Sequence, residues 1–313
     1  NMFFPHSRLT ASLKTYLQSP EFRQQYHLYP AETIDRVLRY GSPLGRLIEL
    51  HDSLPRCMGR LREMINWARQ ENDSLPSGTV VIARQLLEGC GRFDREWFAP
   101  SGGFWMAVAW ADTLLPDFAR LLPLAAGTAS CEAIRVFGID ASIKWVNDIH
   151  VRGRKIGGVL CETVVGEQPG DRYHFVGIGI NCNNTSFPGE LKKSATSMRN
   201  ELHAAVDLDR FALELLARLA WNFGLIHLQE EQTLAWERDG SRGNPPNPVV
   251  AAWKGMTDTL GRRVLYGYDV VRSPMYRAIV RDIDNSGGLV MGLENGATVI
   301  ENSGEIIYLD IEE

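Results

Sequence analysis

Apolar positions between residues 207 and 226 repeat at helical spacing: Phe211, Leu215, Leu219 and Phe223 fall at intervals of four, with Leu208, Ala212, Leu216 and Ile226 beside them. Such a pattern is one broad apolar stripe of a core helix, and Asp207 or Asp209 can cap its start. A second helical stretch, Ala31 to Leu38, belongs to a run of short helical pieces over residues 1–45. Pro116 to Gly138 reads as helix-rich, with Pro123 and Gly127 as interruptions and Gly138 as the stop. Alternating or continuous apolar runs predict strands at Val80–Ala83, Ser142–Trp145, Ile149–Val151, Gly158–Val165 and Tyr173–Asn181, with Arg152-Gly153 as a hairpin turn.

Short turns between strands require antiparallel pairing, because a parallel partner needs a crossover of about a dozen residues. Residues 46–240 are therefore expected to form an α+β unit, a mostly antiparallel sheet with helices packed on it. From Trp236 to Pro248 the composition shifts to Arg, Asp, Gly, Asn and three prolines, the signature of an exposed linker. Beyond it the pattern is all-β. Strands at 263–271, 275–283, 288–293, 297–300 and 305–311, divided by turns such as Asp284-Asn285-Ser286-Gly287-Gly288, predict a small barrel over 248–313. Three units follow: 1–45, 46–240 and 248–313.

Composition narrows the class. With 313 residues, 44% hydrophobic and 23% charged, the chain reads as an ordinary globular protein, and no continuous apolar run reaches the roughly 20 residues of a membrane helix. No membrane is expected, and the first ten residues lack the pattern of a signal peptide, so the cytoplasm is the expected compartment. A formal charge of −5 argues against a general nucleic-acid surface. The five cysteines show no metal-knuckle spacing.

Four segments concentrate chemistry. Lys144-Trp145-Val146-Asn147-Asp148 ends a strand with a cation, an amide and a carboxylate. Lys155 follows the hairpin turn and precedes Ile156-Gly157-Gly158, where glycines allow close approach. In Gly177-Ile178-Gly179-Ile180-Asn181 the glycines fit either a ligand or tight sheet packing. Upstream, the loop Gly89-Cys90-Gly91-Arg92-Phe93-Asp94-Arg95-Glu96-Trp97 combines backbone N–H groups with two guanidinium groups, a combination that can wrap an anion.

Together these segments resemble, in order and spacing, the active site of the biotin protein ligases within the biotin/lipoate A/B family, which carry a K-W-P-N-D strand end, a lysine before two small residues, a G-x-G-I-N strand and a G-R-G-R-x-x-R-x-W loop. The resemblance extends to Ala83-Arg84-Gln85, to Asp52-Ser53 and to Asn302-Ser303-Gly304-Glu305-Ile306. It implies a class II synthetase-like catalytic domain with an SH3-like C-terminal domain. The implied activity is ATP-dependent activation of biotin or a related acid to an acyl-adenylate, and its transfer to a lysine of a carrier-protein domain. The implied catalytic residues are Lys155, Arg92 and Lys144. Ser53, Leu54, Leu86, Gly89, Cys90, Gly91, Arg95, Trp97, Asn147, Asp148, Gly157, Gly158, Gly179 and Asn181 would form the binding surfaces, with Asn147 and Asp148 organising Mg²⁺ on the nucleotide. The glycine-rich loop would close as a lid. DNA binding is not expected, because residues 1–45 are too short for a winged helix. A homodimer is left open.

The sequence departs from the family at Leu54 and Leu86, where the family places a threonine and a glutamine against the biotin ring, and at Cys90 and Asp94, where the loop carries an arginine and a small residue. Leucines suggest a more apolar acid, because a site built to hydrogen-bond a ring discriminates through unmet polar groups. A lipoate or fatty-acyl ligase, or a non-catalytic relative that binds such a ligand, are the alternatives.

Overall fold

The computed structural model describes residues 6–165, 172–240 and 246–309. Helices α1 (His6–Gln18), α2 (Pro20–Gln24) and α3 (Ala31–Gly41) lead into strand β1 (Ile48–His51), helix α4 (Cys57–Gln70), and strands β2 (Thr79–Ala83) and β3 (Phe104–Ala111). Helices α5 (Pro116–Ala119) and α6 (Leu122–Arg135) precede β4 (Ser142–Lys144), β5 (Asp148–Val151), β6 (Arg154–Val165) and β7 (Arg172–Ile180). Two short helices, α7 (Leu191–Ser194) and α8 (Met198–Leu202), come before the long α9 (Leu208–Arg238).

The seven strands form one sheet in the order β1-β2-β3-β7-β6-β5-β4. The β1–β2 pair alone is parallel, and α4 is its crossover; the other neighbours are antiparallel. The α+β class read from the turns is the one observed. Along β2, Val80 and Ile82 join the core under α6 and α9, while Val81 and Ala83 join the core under α4. Strand β3 divides its side chains in the same way and is buried along nearly its whole length. Continuous burial leaves no polar alternation, so the sequence did not signal β3. Strand β1 and helix α4 were also missed.

Asp207 caps α9, accepting from the N–H groups of Asp209 and Arg210. The helix is long and apolar enough to cross a bilayer by composition, but 89% of its most apolar window is buried in the fold. Its polar face is buried as well: Glu214 and Arg218 pair with each other, Tyr16 Oη donates to Glu214 at 2.9 Å, and Tyr26 stacks on Trp221 with ring centroids 3.7 Å apart. Residues 6–41 are thus the cover of α9. In α6, Pro123 sits in the first turn, where a missing N–H costs nothing, and Gly127 lies inside an uninterrupted helix. Neither is the break expected. Gly138 does leave the helix with a φ of +85°.

The expected linker is shorter than its composition implies, because α9 runs to Arg238 and a helix α10 (Pro248–Lys254), capped by Asn247, opens the C-terminal segment. Residues 241–245 lie outside the described residues. Strands β8 (Arg263–Gly267), β9 (Tyr276–Ile283), β10 (Leu289–Leu293), β11 (Thr298–Glu301) and β12 (Glu305–Tyr308) form an antiparallel sheet in the order β11-β10-β9-β8-β12. Residues 310 and 311 of the last expected strand lie outside the described residues. The segment joins the large sheet at its β4 edge: Ile143 N–H donates to Met256 O at 2.9 Å, Thr257 Oγ1 to Ile143 O at 2.6 Å, and Trp145 N–H to Thr259 Oγ1 at 3.1 Å. An edge that would otherwise present unpaired backbone is thereby covered.

Candidate active site

A cavity of about 570 Å³ opens on the α4 face of the large sheet. Its floor exists because β6 and β7 carry Gly158, Gly177 and Gly179 among its lining residues. A Cβ on Gly177 would lie 3.2 Å from Met58 Sδ, and one on Gly179 would lie 3.0 Å from Trp97 Nε1. Gly157 serves packing instead: its Cβ would meet Ile180 Cδ1 at 2.4 Å, on the core side.

The β5–β6 register shifts between Ile149 and His150, pairing Asp148 with Gly158 and His150 with Lys155. A bulge of this kind re-aims a side chain. Lys155 Nζ reaches Asp148 Oδ1 at 2.7 Å and lies 5.0 Å from the centre of the Trp97 ring. Burial alone would raise the Asp148 carboxyl; Lys155, Lys144 and Arg92 together hold it below the usual carboxylate value. Burial lowers Lys144, with Asp148 opposing the shift. Lys144 Nζ sits 5.4 Å above the Tyr308 ring.

Asn147 is buried, and its amide donates to Val159 O, leaving its carbonyl oxygen as the free end. Asn181 does not line the cavity: it is buried, donates to Thr196 O at 3.0 Å and accepts from Asn184 at 3.0 Å, so it fixes the chain after β7. Ser53 is exposed and also outside the lining. Leu54 backs Leu86 through a parallel bridge, and Leu86 faces the cavity.

The glycine-rich loop folds on itself. Trp97 N–H donates to Gly89 O at 2.9 Å and Gly91 N–H to Arg95 O at 2.8 Å, so two N–H groups expected to wrap an anion are occupied. Gly89 is required by close approach, since a Cβ there would lie 2.3 Å from Trp97 O. Cys90 Sγ donates to Gly91 O at 3.3 Å. Both loop arginines reach the C-terminal sheet. Arg92 Nη1 donates to Gly304 O at 2.6 Å, while Arg95 makes a two-pronged contact with Glu305 at 2.9 Å and a third bond to Asp269 at 2.5 Å. Both arginines also line the cavity, and these contacts latch the loop to the C-terminal segment. Asp269, Glu305 and the lining residues Met58 and Trp105 were not legible as site residues, because only tertiary contact brings them here.

Comparison with known proteins gives the family and the fold. The sequence profile of the biotin/lipoate A/B protein ligase family matches residues 58–183. The biotin--[acetyl-CoA-carboxylase] ligase of Mycobacterium tuberculosis is 31% identical over 77% of this chain and 83% of its own length. The bifunctional ligase/repressor BirA of Bacillus subtilis is 31% identical over 59% of this chain, and the match spans only 58% of its length. In fold, the chain is similar to the biotin protein ligase of Aquifex aeolicus in complex with biotin and ATP, with a TM-score of 0.66 and 23% identity over 84% of this chain and 98% of that one. The chain belongs to the biotin/lipoate A/B protein ligase family.

Proposed function

We propose that this protein activates a carboxylic acid of the biotin type with ATP and transfers the acyl group to a lysine on a carrier-protein domain. The observation that carries the reading is the Lys155–Asp148 pair, 2.7 Å apart, on the wall of a 570 Å³ cavity whose floor is glycine. The names of the relatives favour biotin as the acid. The acid's carboxylate and the α-phosphate of ATP are both anions, so bringing them together requires fixed positive charge in a water-poor cavity. Lys155 supplies that charge, and Asp148 holds its ammonium in place until substrate competes for it. Lys144 adds a second cation whose burial makes it less costly to deprotonate.

The residues present fit a Mg²⁺ ion held largely by the nucleotide phosphates, as this ion is commonly bound. Asp148 and the free carbonyl oxygen of Asn147 would hold it, and it would neutralise phosphate charge. Arg92 would leave Gly304 O to meet a ligand oxygen, and Trp97 would cover the adenylate against water.

A second reading concerns the acid alone. On the α4 side, the lining side chains Met58, Leu86, Trp105 and Leu160 are apolar, and burial pushes the Cys57 thiol up to about 12, so it stays neutral. Arg56, Arg62 and Glu162 also line that side, but Arg62 is paired with Glu162 and Arg56 donates to Glu88 O, so a polar ring meets few uncommitted side chains, which favours lipoate or a fatty acid.

Acid-dependent exchange of pyrophosphate into ATP, run with biotin, lipoate and octanoate, tests both readings. Lys155→Ala should lower exchange by roughly 10²–10³-fold, the scale for losing one preorganised electrostatic partner. Wild-type-like exchange in this variant would overturn the role of Lys155. No exchange with any of the three acids would remove the enzyme reading in favour of a ligand-binding relative.

A further inference from the structure

Lys155 stands at the end of a ladder. Strand β7 pairs with β6 only from Gly157, which lies opposite Ile180, so Lys155 and Ile156 need another neighbour on that side. They meet the segment between α7 and α8: Ala195 bridges to Lys155 in parallel, and Thr196 N–H donates to Lys155 O at 2.9 Å. Asn181 completes the join, donating its N–H to Ile156 O at 2.8 Å and its side-chain amide to Thr196 O at 3.0 Å. The place of Lys155 on this side therefore depends on residues 195 and 196.

A buried carboxylate anchors that segment. Glu201 of α8 has a side chain only 3% exposed, and it gathers three donors from two parts of the chain. Thr196 Oγ1 donates at 2.5 Å, Arg154 Nη2 at 2.7 Å, and Arg152 adds a third contact. Burial alone would raise this carboxyl; Thr196 and the two arginines hold it below the usual carboxylate value. The arginines belong to the β5–β6 hairpin, whose two-residue turn puts Arg152 and Gly153 in left-handed backbone, with φ of 49° and 78°. Turns of this kind ordinarily take Asn, Asp or Gly at the first place. An arginine there gains nothing in turn geometry but reaches Glu201, so the hairpin tip and the segment beside Lys155 are tied to one carboxylate.

We infer that Glu201 is a positioning residue for Lys155: it lines no cavity itself and acts by holding Thr196 beside the lysine and the hairpin tip before it. The inference rests on the role given to Lys155 above. On that reading the ammonium that lies 2.7 Å from Asp148 must also meet the acid and the α-phosphate, and a misplacement of about 1 Å can cost about 10²-fold in rate. With the carboxylate gone, Thr196, Arg152 and Arg154 lose their shared acceptor, and the backbone around Lys155 is released from both directions. A buried ion cluster also contributes to folding, because removing one partner leaves charge uncompensated, and the two effects must be read separately.

The test is a double-mutant cycle in acid-dependent pyrophosphate exchange, with Glu201→Ala and Glu201→Gln each made in the wild-type and the Lys155→Ala background and thermal unfolding used to establish that every variant is folded. Glu201→Ala should lower kcat about tenfold with the KM values for ATP and acid within about threefold, the pattern of a lost transition-state interaction. Glu201→Gln should recover part of the loss, because its carbonyl still accepts from Thr196, and it carries the same comparison if the alanine variant unfolds. In the Lys155→Ala background either substitution should cost less than about twofold, because the residue it positions is gone. An equal cost in both backgrounds overturns the inference, as does wild-type kcat in folded Glu201→Ala. Amide-hydrogen exchange over residues 194–198 needs no catalysis: Glu201→Ala should speed it roughly tenfold while residues 104–111 keep their protection, and unchanged exchange at 194–198 also overturns the inference. Wild type that exchanges no pyrophosphate with any of the three acids would sink the adenylation reading instead, and amide exchange would then decide the clamp by itself.

Discussion

Two adjacent residues in the glycine-rich loop, Phe93 and Asp94, adopt left-handed backbone with φ of 56° and 55°. For residues with a Cβ this region costs roughly 1–2 kcal/mol each, although aspartate tolerates it better than phenylalanine. What offsets the cost is visible in the side chains. The Phe93 ring meets Tyr268 edge-on with centroids 5.3 Å apart and lies within 5.3 Å of both loop guanidiniums. Asp94 has less: the Cys90 thiol is 3.9 Å away, and the residue is otherwise exposed. Asp94→Gly should therefore raise stability by about 0.5 kcal/mol, because glycine removes the steric penalty and regains only part of it as unfolded-state entropy. Chemical denaturation measures this directly. A loss of 1 kcal/mol would show that the carboxylate has a role in the loop that its contacts do not reveal.

At the scale of elements, α9 shows what a sequence pattern discloses and what it conceals. Its apolar stripe and its Asp207 cap were legible because both are local, at spacings of four residues or fewer. The burial of Glu214 and Arg218 beside that stripe was not, because it depends on Tyr16 and Gln25 in the N-terminal helical segment, whose apolar positions give no sign of what they cover. The same holds at the site. Lys144, Asp148, Lys155 and Gly179 stand in recognisable strings, whereas the bulge that aims Lys155 at Asp148, and the latch that engages Arg92 and Arg95, exist only once separate strands have met. Beside α9, burial raises the Glu132 carboxyl to about 7, with Arg218 and Asn222 opposing the shift, and Asn222 Nδ2 donates to its Oε2 at 3.1 Å. A carboxyl raised on folding favours the folded state below its unfolded pKa, and that contribution is lost as pH rises through the folded value. Stability should therefore decline from about pH 4.5 to about 7 on account of this group, by up to about 1.4 kcal/mol per pH unit. Glu132→Gln should flatten that window in urea titrations taken at successive pH values. An unchanged slope would mean that the carboxyl is ionised throughout.

Across the whole molecule, the C-terminal sheet acts on the site from two directions. On the β4–β5 side it fixes the strand end itself: Trp145 Nε1 donates to Gly287 O at 3.3 Å, His150 Nε2 lies 3.1 Å from Asp258 Oδ1, and Tyr308 Oη donates to the same oxygen at 2.8 Å. These groups are largely buried, so the attachment is part of the core. On the loop side the contact is polar and only partly buried at its arginines, through Arg92 to Gly304 and Arg95 to Glu305 and Asp269. A firm attachment carrying a weaker latch lets the loop open without displacing the sheet that holds it. Glu305 is the test of that division, because it contributes two of the three bonds to Arg95 and its side chain is 17% exposed, while that of Arg95 is 37% exposed. Charged hydrogen bonds are worth about 1.5–3 kcal/mol when sheltered, and solvent screening at Arg95 brings this pair toward the lower end. Glu305→Ala should then raise amide-hydrogen exchange across residues 89–97 by roughly tenfold, the factor that about 1.4 kcal/mol of local opening corresponds to. Exchange in β4 and β5 should stay the same. If β4 and β5 loosened together with the loop, the two attachments would be one cooperative unit, and the loop could not move without the sheet.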